Sequence, residues 1–258
     1  YNVSIGRYTL GSNTDGDYNT GIGYLALRCN IDGGKNTGIG YGSLFNNRTG
    51  HYNTSFGWES LYLANSGDDN FAAGQCALYN NYGGCDNTAI GYKALCCNTT
   101  GGCNIGIGDS ALRENTTGQC NIAIGADAGK VTTSTGSVLI GHQAGAANTT
   151  GVNTAVGQQA LLTNTDGTEN VAVGVAAMLY NDGGYQNVAV GAASLQNNTD
   201  GLRNISIGYR AACSNTTGHC NIAIGCQALK SNQTGRSNVA VGDSAMCSST
   251  VGENVAVG

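Results

Sequence analysis

The chain has 258 residues, of which 42 are glycine and none proline, and only 10% are charged. An ordinary globular domain has no such profile, yet regular Val, Ile, Leu and Ala positions argue against disorder. The net charge of −5 comes from scattered acids without a basic stripe, which excludes the electrostatic footprint of a nucleic-acid binder. No run of about 18 apolar residues is present, so no segment is expected to insert in a membrane.

Taken in chain order, a glycine closing a short apolar run recurs at Gly6, Gly23, Gly40, Gly57, Gly74, Gly91, Gly108 and Gly125, each seventeen residues after the last. The register slips by one residue at Gly141 and again at Gly157. It then resumes through Gly174, Gly191, Gly208, Gly225 and Gly242 and shortens once more to reach Gly258. The unit reads Asn, Val/Ile/Thr, a small residue, Ile/Val, Gly, two variable positions, Ala/Ser, usually Leu, and then a polar Asn-x-Thr/Asp-Gly corner. A period this short does not fit a helical hairpin. It predicts one coil of a parallel β-solenoid, an all-β array of about fifteen rungs over residues 1–258, each burying its apolar face on its neighbours. Both ends fall inside the pattern, which reads as a segment of a longer fibre or as ends that stack on another molecule.

Alternation places the second and fourth residues of each run on one face and the small third residue on the other. The Ile/Val row (Ile90, Ile107, Ile124, Val173, Val190) is expected to be buried and to fill a narrow core together with the Leu row (Leu78, Leu95, Leu112). The third position, as in Ala89, Gly106 and Ala123, has room only for a small side chain. Restriction on both faces hints at an oligomer. Glycines after the strand (Gly91, Gly108, Gly125) and in the corner (Gly101, Gly118) mark positive φ or close backbone approach. The corner asparagines, as in Asn98-Thr99-Thr100-Gly101, predict turns that stack into Asn and Thr ladders.

Aromatic residues cluster in the first third. Tyr24, Tyr41 and Trp58 share one position on consecutive rungs, and Phe45, Tyr62 and Tyr79 share another. They form either a binding strip for sugar rings or a partner protein, or a cross-rung stack; the structural reading is favoured because the positions flank corners. Among eleven cysteines, Cys103 and Cys120 occupy one position on successive rungs and Cys85 sits one position away on the preceding rung. A disulfide along this edge is plausible in an extracellular setting, the alternative being a row of small thiols. No cysteine group has the spacing of a structural zinc site, so no metal is expected. Sequons at Asn47, Asn53, Asn98, Asn115, Asn148, Asn197, Asn215 and Asn232 are accounted for by the corner motif itself. Neither a nucleophile elbow nor a phosphate loop occurs, and the residues point to no enzyme activity and no cofactor.

The units Asn-x-Ala-Ile/Val-Gly-x-x-Ala-Leu, as in Asn87-Thr88-Ala89-Ile90-Gly91-Tyr92-Lys93-Ala94-Leu95, resemble the YadA-like head repeats of trimeric autotransporter adhesins and the similar repeats of phage and viral tail fibres. The resemblance covers essentially the whole chain, although the seventeen-residue unit is longer than the coil typical of adhesin heads and closer to the fibre type. It implies a left-handed β-roll, three chains side by side, and a structural or adhesive role at a cell surface or on a virion, outside the cell. A surface receptor or glycan would then be the partner. Two other functions stand beside this one: a filament subunit stacking end to end, and an ice-binding solenoid. The second is disfavoured because Asp, Val and Ile interrupt the Thr rows.

Overall fold

The structure, a computed structural model, describes all of residues 1–258. It contains sixteen strands of three residues each and no helix, in about fifteen turns of a parallel β-solenoid. The chain comprises two compact units, residues 1–135 and 136–258, and the boundary falls within the first shortened repeat. The first unit holds β1 (Val3–Ile5) to β8 (Ile122–Ile124), and the second holds β9 (Val138–Ile140) to β16 (Val255–Val257). Within each, successive strands pair in parallel with one-to-one register at the repeat period, for example Ile105↔Ile122, Gly106↔Ala123 and Ile107↔Ile124.

The strand faces are reversed relative to the sequence expectation. The small third residue points into the coil: Ala89, Ala123, Ala172, Ala189 and Ala223 are fully buried. The second and fourth residues point outward, and Ile90, Ile124 and Ile224 are 38, 37 and 37% exposed. The Ile/Val row therefore does not line the core. The reason lies in the width of the coil. A Cβ on Gly106 would meet Leu95 Cγ and the Ala111 carbonyl oxygen, each at 3.2 Å. The Leu of one rung thus already fills the space beneath the strand of the next, leaving room for at most a methyl group. The core consists of the small strand residue, the Ala/Ser at the eighth position and the Leu at the ninth, with Leu78, Leu95, Leu112, Leu161 and Leu229 all fully buried.

Two asparagine ladders complete the interior: the corner ladder that the corner motif predicts, and a second formed by the Asn that leads each strand, which the corner motif does not predict. In the corner ladder, Asn98 donates through Nδ2 to Asn81 Oδ1 at 2.7 Å and to the Gly101 carbonyl at 2.9 Å, and Asn115 repeats the step onto Asn98 at 2.9 Å. In the strand-leading ladder, the Asn104 backbone N–H donates to Asn87 Oδ1 at 3.0 Å while its amide reaches the Gly118 carbonyl at 2.8 Å. Every one of these side chains is buried. A buried amide is tolerated only when its hydrogen bonds are made, so the ladders both hold the corners and fix the rung spacing.

The ladder breaks where the sequence does. Position 132 of the shortened repeat, equivalent to Asn115, is Thr. Asn115 Oδ1 then has no donor above it, and the buried Thr132 hydroxyl has no partner. Thr132→Asn is expected to restore the rung, raising stability by about 1 kcal/mol, the net value of one buried hydrogen bond. A higher thermal midpoint would bear this out; an unchanged or lower one would mean that the tightened corner has no room for the amide.

The two repeated glycines answer to different constraints. Gly91 has φ +131°, a region essentially closed to side chains, and a Cβ there would collide with the Gly108 carbonyl oxygen. Gly101 does not have positive φ. It is required by proximity alone, since a Cβ would lie 2.5 Å from Asn98 Oδ1 and would run into the Gly118 carbonyl. Left-handed backbone is instead carried by ordinary residues, three in each regular rung, as at Lys93 (φ 54°), Leu95 (φ 51°) and Cys103 (φ 58°). Each such residue costs about 1–2 kcal/mol by intrinsic preference. The compensation is directional: Lys93 and Cys103 donate their N–H to Gln75 and Cys85 on the preceding rung at 3.0 Å, and Leu95 to Ala111 on the next at 2.9 Å.

Candidate functional surfaces

Three features stand out on this scaffold: the outward strand face, the aromatic rows and the cysteine edge. The strand face carries two parallel rows. In the first unit these are Thr20, Thr37, Thr54, Phe71, Thr88, Ile105 and Ile122 beside Ile22, Ile39, Phe56, Ala73, Ile90, Ile107 and Ile124. In the second, Val and Ile dominate both rows, with Val171, Val190, Ile205 and Ile207 all at least 36% exposed. No strand residue in either unit is charged. With strands about 4.8 Å apart and outward positions about 7 Å apart along each strand, the strip in one unit covers on the order of 300 Å². The strip is mixed threonine and apolar in the first unit and almost wholly apolar in the second, and its size falls at the lower end of the largest apolar patch on an ordinary monomer, a patch that is often functional.

The aromatic residues do stack across rungs. Tyr24 and Tyr41 lie 5.5 Å apart between ring centroids, and Tyr41 and Trp58 lie 4.1 Å apart and nearly parallel at 12°. In the second row, Phe45–Tyr62 and Tyr62–Tyr79 are separated by 4.8 and 5.2 Å. Both faces of Tyr41 and of Tyr62 are therefore covered by neighbouring rings. A sugar ring docks on an aromatic face, so the inner members of each row offer it only their edges. Ring pairs of this kind contribute about 0.5–1.5 kcal/mol each beyond area burial, which supports the structural role favoured from the sequence.

Cys103 and Cys120 are exposed free thiols on successive rungs, and Cys85 is a partly buried one. Elsewhere burial dominates thiol chemistry. Burial, followed by the neighbouring Cys97 and Cys76, pushes the Cys96 thiol up to about 11, leaving it protonated and unreactive at neutral pH. His219 is held below the ordinary histidine range, first by burial and then by Arg236, and its Nδ1 accepts a hydrogen bond from the Leu202 N–H at 3.1 Å. No three His, Cys, Asp or Glu side chains are grouped so as to hold a metal ion, and no helix is long and apolar enough to cross a membrane. Of the sequons named above, only Asn197 is exposed; the others are buried members of the two ladders.

A shallow cleft of about 270 Å³ in the first unit was not foreseen from the sequence. Asp15, Asp17, Tyr18, Asp32, Lys35, His51 and Tyr52 line it. It exists because Gly34 interrupts the row of side chains formed by Asp17 and His51. Lys35 is drawn across it, with Nζ 2.6 Å from the Tyr52 hydroxyl and 4.6 Å from the centre of that ring. The signal available in the sequence was this glycine between two polar residues at one repeat position.

Fold and surfaces together define a parallel β-solenoid repeat protein. Comparison with models of known protein families, with curated proteins and with solved structures finds no match.

Proposed function

We propose that the chain is a segment of a structural or adhesive fibre, a rigid roll that associates side by side with two further copies and displays or forms a surface-binding site outside the cell. The observation that carries this reading is the uncharged Ile/Val/Thr strip on the outer strand face. A soluble protein leaves such a strip uncovered at a cost of roughly 25 cal/mol per Å² of apolar surface, and parallel packing of identical rolls covers it with self-complementary rows. The resemblance of the repeat unit to adhesin-head and tail-fibre units supports three copies and a non-catalytic role. Handedness and trimeric state rest on that resemblance.

The native mass by light scattering, with and without reductant, tests the assembly. A threefold mass in both conditions is expected, together with a fall to single-chain mass in Ile90→Asp/Ile124→Asp, two rungs apart and both more than a third exposed, while the β-rich circular dichroism spectrum persists. Those positions face outward, so the aspartates cost the isolated roll little. A single-chain mass for the unaltered protein would overturn the side-by-side fibre. Open-ended growth with concentration would transfer the argument to a filament stacked end to end.

A further inference from the structure

We propose that Cys103 and Cys120 close an intramolecular disulfide across adjacent rungs, formed by exchange with a small-molecule disulfide and opened by exchange with the corresponding small-molecule thiol. Among the eleven cysteines no other two occupy the same repeat position on neighbouring rungs. Cys29 and Cys97 share a position four rungs apart, and Cys213 and Cys247 share one two rungs apart. Cys103 and Cys120 also share their backbone geometry. Their φ values are 58° and 55°, and each donates its N–H at 3.0 Å to the preceding rung, to the carbonyls of Cys85 and Gly102 respectively. Near-equal φ and equal bonding run the two Cα–Cβ bonds side by side, so the Cβ atoms lie about one rung spacing of 4.8 Å apart and must lean together by roughly 0.5 Å to reach the 3.5–4.5 Å of a disulfide. The rung spacing of about 4.8 Å lies inside the usual Cα separation of a disulfide, roughly 4.4–6.8 Å. Both thiols are exposed, so an exchanging disulfide can reach them.

Cys85 is the competitor, and the structure turns it away. Its Sγ lies 3.4 Å from the Asp68 N–H, which donates to it, and 3.8 Å from the Gly83 carbonyl. It thus faces the rung before its own, opposite to the rung that carries Cys103. The order of events follows ordinary exchange chemistry. The Cys103 thiolate attacks one sulfur of oxidised glutathione, forming a mixed disulfide and expelling one glutathione thiolate. The Cys120 thiolate then attacks the Cys103 sulfur and expels the second. Two protein thiols are oxidised, one glutathione disulfide is reduced to two thiols, and the two protons pass through water to the leaving groups. Local desolvation first, and then the neighbouring Cys120 and Asp86, hold the exposed Cys103 thiol above its ordinary range, so closure accelerates as the pH rises toward that raised value.

The test uses the full chain, reduced and then incubated with oxidised glutathione at mildly alkaline pH, quenched by alkylation and mapped by mass spectrometry. Trypsin cleaves after Arg113, between the two cysteines, so the closed form gives a linked peptide pair. That pair is expected at Cys103–Cys120, while the exposed Cys220 and Cys226, which lack a stacked partner, stop at the mixed disulfide. An effective concentration in the millimolar range predicts closure roughly a thousandfold faster than cross-linking between chains at micromolar protein. In Cys120→Ser, Cys103 should remain as the glutathione adduct. Persistent adducts at both Cys103 and Cys120 of the unaltered chain, or a Cys85–Cys103 link, would overturn the proposal. Repeating the reaction in denaturant separates geometry from intrinsic reactivity, because the preference for this pair must then disappear.

Discussion

Gly91→Ala is expected to destabilise the first unit by at least about 4 kcal/mol, among the larger effects a single methyl group can have. Two costs add. The φ of +131° lies where alanine is strained by about 1–3 kcal/mol, and the methyl would collide with the Gly108 carbonyl, which belongs to the stacked backbone of the next rung and has no flexible end to move aside. Gly102→Ala supplies the internal contrast. There the nearest atom to the new Cβ is the Cys85 carbonyl oxygen at 3.2 Å, and the equivalent residues on neighbouring rungs, Cys85 and Gln119, already carry side chains. A change below about 1 kcal/mol is expected, partly offset by the reduced freedom of the unfolded chain. Because repeat arrays do not always unfold in a single step, the denaturation midpoint should be joined by hydrogen exchange at the amides of residues 88–112. Fast exchange confined to those rungs in Gly91→Ala, and absent in Gly102→Ala, is the expected pattern. Equal midpoints for the two variants would show that the rung can shear without penalty.

The period, the parallel stacking, the corner asparagine ladder and the aromatic rows were all legible in the sequence. Each depends only on which residues recur at one position, and a strand of three residues leaves the register no freedom. The face assignment was not legible. Alternation tells that Ile90 and Ala89 point to opposite sides, but which side is interior depends on the width of the coil, and that is set by corner geometry. The left-handed residues were equally hidden. Lys93, Leu95 and Cys103 have no preference for that region; the directions of their inter-rung hydrogen bonds impose it, so no local composition announces them. The two glycines were grouped together because sequence alone cannot separate positive φ from close approach, the difference between Gly91 and Gly101. The same limit applies to function. An outward apolar strip is visible only once the inside of the coil is known.

The reversed face also explains the one rung that departs from the small-residue rule. Leu139 occupies the third strand position and is fully buried, in a slot that elsewhere accepts only Ala, Gly or Ser. Gly145 stands in the same repeat at the ninth position, which elsewhere is usually Leu. A Cβ on Gly145 would lie 2.6 Å from Leu139 Cδ2, so the leucine side chain fills the core from the strand side and the glycine leaves room for it. The sequence contains this signal as a glycine at a leucine position. Leu139→Ala should cost about 3 kcal/mol, within the range for a buried leucine that leaves a cavity. Gly145→Leu alone overpacks the same space and should cost about 1–3 kcal/mol. Together the two substitutions give the residue pair of a regular rung, with alanine on the strand and a left-handed leucine at φ near 50° as at Leu161, while the ninth position of the preceding repeat remains Gly129. The double variant is expected to lose less than the two single losses added together, with a coupling energy of about 2 kcal/mol or more. Additive losses in this cycle would mean that the two residues do not share one volume, and that the interior at this rung is set by the shortened corner and not by exchange of one leucine between the two walls of the coil.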